Sequence, residues 1–459
     1  MTSPARAGGD LFIHDCEVVV TMDDQRGELA GGSILVRAGR IEWVGSGEPP
    51  DSTGCTRIDG RGAVAIPGLV NTHHHLYQVL TRLRAQAKGL FGWLVELYPV
   101  WAHVDAEWER AAAMVGLAEL ALSGCATSTD HHYVFPSGTS GLVEAEADAA
   151  RQLGLRFHPC RGSMDLGESG GGLPPDSVVQ GTDAILAETE EVVARLHDPA
   201  EGSMLRIAVA PCSPFTATER LMTESAELAR RLGLRLHTHI AETTDEEAFC
   251  IERFGRRPLE LLDSLAYLGA DVWLAHCVHL SEQDVARVAE TGTAVAWCPT
   301  SNLRLGSGIA PAPALLGAGA SVGLGVDGSA SNDSGDLLAE ARQAMLVSRA
   351  GGTEAGISAR DALHVATRGG ADCLGRDDIG SIEVGKRGDV ALFDVESLSF
   401  AGAETDPVAA LLFCSPGRVR DLVVEGRRVV TNRRLVGAEE EAVAREGRRV
   451  ARLISERTG

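Results

Sequence analysis

The stretch Pro67-Gly68-Leu69-Val70-Asn71-Thr72-His73-His74-His75 sets an apolar, strand-like segment directly before a run of histidines. Alternate residues of a strand share a face, so His73 and His75 are expected to point one way and His74 the other. Two imidazoles converging from one strand end suit a borderline cation such as zinc, whose catalytic sites take about three or four protein ligands and keep a position for water. Read alone, the same run is equally well a polar loop, and any further ligands must come from elsewhere in the chain.

Working outward, the segment 64–70 reads as the first of several short apolar, β-branched runs that alternate with helical patterns, as in repeated βα units around a parallel sheet. Later runs end near Thr129-Asp130 and cover 156–158, 207–210, 234–237, 272–275, 294–297 and 322–326. A helix over 105–122 opens on Asp105 as N-cap and stops at Gly124, and another opens on Ser281 and runs to Glu290. Eight strands fit an α/β fold of the (β/α)₈ TIM-barrel type, whose active sites lie at the C-terminal strand ends. The ends of the chain have a different texture. Residues 10–66 and the stretches 380–393 and 421–430 alternate short apolar runs with Gly, Asp and Arg at hairpin spacing. They predict a small, sandwich-like β domain built from both termini, residues 1–66 and 379–459, around a barrel over 67–378.

Lys and Arg total 42 against 64 Asp and Glu, a formal charge of −22, in 459 residues. That balance argues against nucleic acid or an anionic membrane surface as partner and favours a small neutral or cationic ligand. No uncharged apolar run approaches the roughly 20 residues that cross a bilayer. The ten cysteines include no Cys-x-x-Cys pair, and the start Met1-Thr2-Ser3-Pro4 lacks a charged-then-apolar signal pattern. A reduced, cytoplasmic protein is expected.

The strand ends gather titratable groups. The first carries His73 and His75, the fifth His237-Thr238-His239-Ile240-Ala241-Glu242, the sixth His276 and the eighth Asp327. For one histidine a hydrogen-bonded core position is the better reading. For a whole set at the catalytic edge of a barrel, a site is.

Pro67-Gly68-Leu69-x-Asn71-x-His73-x-His75, followed in order by His239-x-x-Glu242, His276 and Asp327, resembles the amidohydrolase superfamily, specifically its mononuclear-metal aminohydrolases of purines, pterins and related rings. Within it, Asn71-Thr72-His73-His74-His75-Leu76-Tyr77-Gln78, Leu90-Phe91-Gly92-Trp93-Leu94, Gly170-Gly171-Gly172-Leu173-Pro174-Pro175-Asp176, Ala210-Pro211-Cys212-Ser213-Pro214-Phe215 and Asp327-Gly328-Ser329-Ala330-Ser331-Asn332-Asp333 are similar to members that act on 8-oxoguanine. The resemblance implies one zinc ion per chain held by His73, His75, His239 and Asp327. It implies that Glu242 shuttles a proton from water to the ring nitrogen, that His276 orients the water, and that Asp327 also accepts a proton. The implied reaction converts 8-oxoguanine to urate and ammonia. Gln78 would read the purine edge, Trp93 would stack on the ring or pack in the core, and Cys212 would touch an exocyclic group or simply pack. His74 and His237 are expected to support the ligands or to pack, while His131 and His279 keep open roles. By analogy with such barrels, a homodimer or higher oligomer is expected.

Other zinc chemistries fit poorly. Neither Pro159-Cys160 nor Pro211-Cys212 continues to the second cysteine of a nucleobase deaminase of the Pro-Cys-x-x-Cys type. There is no His-Glu dipeptide for a zinc protease. No lysine stands at a strand end to bridge two metals. The alternatives that remain are deamination of guanine, isoxanthopterin or another pterin, hydrolysis of an s-triazine, or a non-catalytic scaffold.

Overall fold

A computed structural model describes residues 9–350, 356–414 and 417–458; the Met1-Thr2-Ser3-Pro4 start lies outside them. Eight parallel strands close into a barrel in sequence order: β1 (Leu69–Asn71), β2 (Cys125–His132), β3 (Arg156–Ser163), β4 (Ala208–Pro211), β5 (Leu236–Ile240), β6 (Val272–His276), β7 (Ala294–Trp297) and β8 (Val322–Leu324). The last pairs with the first at Leu324 and Asn71. Alternation along the strands sorts residues between two environments. Val209, Leu274 and Val295 pack outward in the core shared with the helices, whereas Ala208, Ala210, Trp273, Ala294 and Ala296 fill the barrel interior. The same pleat turns His237 and His239 inward, because Leu236 and Ile240 belong to the outer layer.

The helices begin and end where their caps predict. Asp105 accepts from Trp108 N at the start of the helix Ala106–Leu122, and Gly124 follows its end with φ +94°. Ser281 caps the helix Glu282–Thr291. The strand expected over 64–70 is two strands. Ala63–Pro67 joins a second sheet beside Val390–Asp394, and the barrel begins only at Leu69. Gly68 is the joint: a Cβ there would lie 2.4 Å from the Ala126 methyl, and its N–H donates to the Asp389 carbonyl at 2.9 Å. Both halves are apolar and buried, so hydropathy does not separate them. The strand expected over 234–237 likewise lies further along, at Leu236–Ile240.

Both termini contribute to the second sheet, which is mixed and nine-stranded. It runs from Arg434–Leu435 through Arg427–Thr431, Asp421–Val424, Val390–Asp394, Ala63–Pro67, Leu11–Val20 and Glu28–Arg37 to Arg40–Ser46, with Thr56–Asp59 beside Leu11–Val20. Leu11, Ile13, Val19, Ile34, Ile41, Ile58, Val390 and Leu392 form its own apolar core. The C-terminal helix Glu440–Thr458 packs against Ala106–Leu122 on the outside of the barrel. Among the described residues no helix is long and apolar enough to cross a membrane, and all ten cysteines are free.

Candidate metal centre and active site

The structure gathers the expected residues at the C-terminal mouth of the barrel. One cavity there is lined by His75, Gln78, Trp93, Cys212, His239, Glu242, His276 and Asp327, with His73 directly beneath. Three turns at this edge hold non-glycine residues in the left-handed region, at Ala241 (φ +50°), His276 (φ +73°) and Asp327 (φ +65°). Such backbone is costly and persists where the surrounding structure enforces it, characteristically at functional sites. His73 and His75 lie beyond the last paired residue of β1. This stretch is tied to its neighbours by the backbone, the His73 carbonyl accepting from Asp327 N at 3.1 Å and the His74 carbonyl from His131 N at 2.7 Å.

Proton positions follow from acceptors that cannot donate. His75 Nδ1 donates to the His131 carbonyl, and His239 Nδ1 to the Cys212 carbonyl, each at 2.7 Å. His237 Nδ1 donates to the Trp273 carbonyl at 2.7 Å, which leaves its Nε2 to accept from His73 Nδ1 at 2.9 Å. All three mouth imidazoles therefore present Nε2 as a lone pair. His75 Nε2 and His239 Nε2 stand 3.1 Å apart, acceptor facing acceptor, and His73 Nε2 is buried with no hydrogen-bond partner. Asp327 Oδ1 lies 3.4 Å from both His73 Nε2 and His75 Nε2. Its carboxylate is braced by Gly328 N at 2.7 Å, Ser301 Oγ at 2.5 Å and Ser331 Oγ at 3.2 Å. Burial, reinforced by the neighbouring imidazoles, drives His75 and His239 well below the ordinary histidine pKa. Burial would raise Asp327, but contact with His73 and the surrounding imidazoles outweighs it and holds the carboxyl well below its ordinary range. Neutral imidazoles and one carboxylate converging without a donor among them are the donor set of a divalent cation, so these residues fit the implied zinc.

His276 is arranged differently. Asn302 Nδ2 donates to its Nδ1 at 3.0 Å, so its Nε2 carries the hydrogen and faces Glu242 Oε2 at 3.5 Å. It is a donor into the cavity rather than a ligand. Burial, then repulsion from Asp327 and Glu246, pushes the Glu242 carboxyl well above its ordinary range. Glu246 fixes the turn that carries Glu242 by accepting from Ala241 N at 2.9 Å and Glu242 N at 2.8 Å.

The remaining expectations separate by environment. Gln78 is fully buried, and its Oε1 has no partner. Trp93, on the helix Leu90–Trp101, donates from its indole to the Ala330 carbonyl at 3.0 Å and packs edge-on against Trp101 at 5.1 Å, so it forms a fixed wall of the cavity. The Cys212 thiol lines the cavity and is pushed up to about 12 by burial, while its carbonyl orients His239. His74 accepts from His75 N at 2.8 Å and turns away from the site, and His279 donates to the Ser307 carbonyl at 2.9 Å outside it. His131, whose role the sequence left open, stacks on His239 at 4.7 Å. Leu90, Leu94, Tyr98, Tyr133, Ser213, Phe215, Leu305 and Ser331 complete the lining, and of these Tyr98, Tyr133 and Leu305 lie outside the quoted sequence motifs. Tyr133 follows the His131-His132 pair that ends β2, which is the one signal that pointed to it.

A (β/α)₈ barrel with this donor set at its mouth defines a metal-dependent hydrolase fold. Residues 64–429 match the model of the amidohydrolase family, and the chain belongs to that family. As such it is a hydrolase of carbon–nitrogen bonds other than peptide bonds. The chain is 48% identical over 400 residues to 8-oxoguanine deaminase of Pseudomonas aeruginosa, covering 86% of this chain and 89% of that one. It is 39% identical to hydroxydechloroatrazine ethylaminohydrolase of Pseudomonas sp. (strain ADP), covering 95% and 94%. Its fold superposes on atrazine chlorohydrolase from Arthrobacter aurescens TC1 complexed with zinc with a TM-score of 0.92 at 34% identity, covering 96% and 100%. The resemblance drawn from the histidine run agrees with all three.

Proposed function

We propose that this chain is a zinc-dependent hydrolytic deaminase of an oxidised purine base, with 8-oxoguanine and water giving urate and ammonia. The observation that carries this reading is the knot of acceptors formed by His73, His75, His239 and Asp327 beside Glu242. These four would hold a single zinc at the mouth. Bound there, zinc would lower the pKa of water from about 15.7 to about 7 and so supply hydroxide at neutral pH. Glu242 takes a proton from the attacking water and returns it to the ring nitrogen. Its raised pKa suits the second half of that task, because the protonated form persists toward neutral pH. His276 Nε2–H steadies the negative charge that develops at the attacked carbon's substituents, and Asp327 can take the second proton of the water and pass it to the amine, which leaves as ammonia. Gln78 offers its unpartnered Oε1 to an N–H on the purine edge. Trp93 and Cys212 shape the wall against which the flat ring lies.

Identity of 48% to an 8-oxoguanine deaminase supports the purine. The 39% identical ethylaminohydrolase and the triazine-hydrolase fold likeness favour an s-triazine as the second reading, with guanine, isoxanthopterin or another pterin as nearer variants of the first. The free cysteines support a reducing, cytoplasmic setting. Ammonia release measured across 8-oxoguanine, guanine, isoxanthopterin and aminated or chlorinated triazines separates these readings. The highest kcat/KM is expected on 8-oxoguanine, whereas turnover of a triazine with no purine would overturn the assignment.

A further inference from the structure

A second group of potential ligands lies away from the mouth. Glu109 on the helix Ala106–Leu122, His132 at the end of β2 and Glu146 on the helix Leu142–Leu153 meet with all three side chains fully buried. His132 Nδ1 is 3.2 Å from Glu109 Oε2 and 3.1 Å from Glu146 Oε1. The other ring nitrogen, Nε2, donates to the Val134 carbonyl at 2.8 Å, so Nδ1 is the ring atom turned toward the two carboxylates. His132 Nδ1 and all four glutamate oxygens lack a hydrogen-bond partner, as does the buried Asp130 Oδ2 nearby. Tyr77 and Phe135 wall the group from either side, with ring centres 5.2 and 4.9 Å from that of His132.

Buried carboxylates without donors are expensive, and one protonated imidazole satisfies only part of this set. A cation bound by one atom from each of the three side chains offsets both carboxylates and takes up the imidazole at once. Spacings of 3.1 and 3.2 Å suit nitrogen and oxygen ligands standing about 2.0–2.2 Å from one ion. One imidazole and two carboxylates select a first-row divalent cation such as zinc or manganese over calcium or magnesium, which prefer all-oxygen sites. We propose that Glu109, His132 and Glu146 form a second, structural divalent-cation site, adding one ion to the single zinc expected from the sequence. The site ties two helices to the end of β2. Through Asp130, whose Oδ1 accepts from Leu76 N at 2.6 Å, it also steadies the Leu76–Thr81 segment that carries Gln78. The cluster shares no ligand with the mouth, and its occupancy does not depend on the proposed reaction.

The test is zinc per chain, by mass spectrometry of protein expressed with ample zinc and freed of loose metal by gel filtration. Two equivalents are expected in the unaltered chain. One is expected in Glu109→Gln/Glu146→Gln, and one in His73→Ala/His239→Ala, which empties the mouth alone. The mouth variant loaded with cobalt should keep a visible d–d absorption band that disappears when Glu109→Gln and Glu146→Gln are added. A mouth variant without zinc or cobalt absorption overturns the proposal and leaves the cluster closed by shared protons. So does a glutamate double variant that retains both equivalents. Should the glutamate double variant fail to fold, the mouth variant decides the matter alone.

Discussion

The two ends of the barrel both bury charge, and they treat it in opposite ways. At the N-terminal end Arg156 donates to Asp389 at 3.1 Å, to Glu425 at 2.9 Å, and to the carbonyls of Gly202 and Ser203. Arg376 grips Asp378 with two hydrogen bonds, at 2.7 and 2.8 Å, and reaches His158 and the Ser203 carbonyl. Both of these arginines meet a counter-charge, and the network joins barrel strands to the terminal sheet. At the mouth, by contrast, three imidazole lone pairs and a carboxylate oxygen face one another with no donor between them. Desolvation is offset within the protein at the base, whereas the inward-facing lone pairs at the mouth are left for something the protein binds. Paired burial marks architecture, and unpaired burial marks a site.

Breaking the mouth should have the largest effect. His239→Ala removes one ligand of the set, so bound zinc and turnover should both fall to background in metal analysis and a urate assay. The base should answer with stability instead. Asp389→Asn leaves Arg156 short of its buried counter-charge and should cost about 3–5 kcal/mol in denaturant unfolding, with activity per folded molecule unchanged.

Two smaller effects sharpen the contrast. Glu246 and Glu340, which brace the mouth from behind, are each raised by burial to about 7. The folded state thus holds their protons more tightly than the unfolded state, in which these groups titrate near 4.5. Their contribution to stability is present below that value and lost as pH rises through about 7, a loss on the order of 3 kcal/mol for each group. Glu246→Gln should flatten that pH dependence in thermal unfolding at fixed zinc. His237→Phe removes the acceptor that orients His73 and should weaken zinc binding by about 10–100-fold, as loss of a partner behind a metal ligand does, read by competition with a chelator.

Much of this was legible in the chain. Leu236-His237-Thr238-His239-Ile240 states its own orientation, because outward Leu236 and Ile240 force both histidines inward. His73, His75, His276 and Asp327 could be read because each follows an apolar run that ends at the barrel edge. The break at Gly68 was hidden, since two buried strands of different sheets look alike when only one residue separates them. Ser301, Ser331 and Asn302 were hidden as well. Ser301 and Asn302 stand on the short helix Pro299–Arg304 after β7 and Ser331 in a turn after β8, segments too brief for a periodicity to mark which hydroxyl or amide turns inward. Glu109, His132 and Glu146 are joined only by tertiary packing, and the faint signal in the chain was an acidic residue on the buried face of each helix.

The account rests on a mouth that holds zinc and uses Glu242 to move the proton. Zinc content and urate formation from 8-oxoguanine, measured together for the unaltered chain and for Glu242→Gln, test it most directly. Zinc should remain bound in both, and kcat/KM should fall by about 10²–10⁴-fold in the variant. A zinc-loaded Glu242→Gln protein that still forms urate at the full rate would contradict the account.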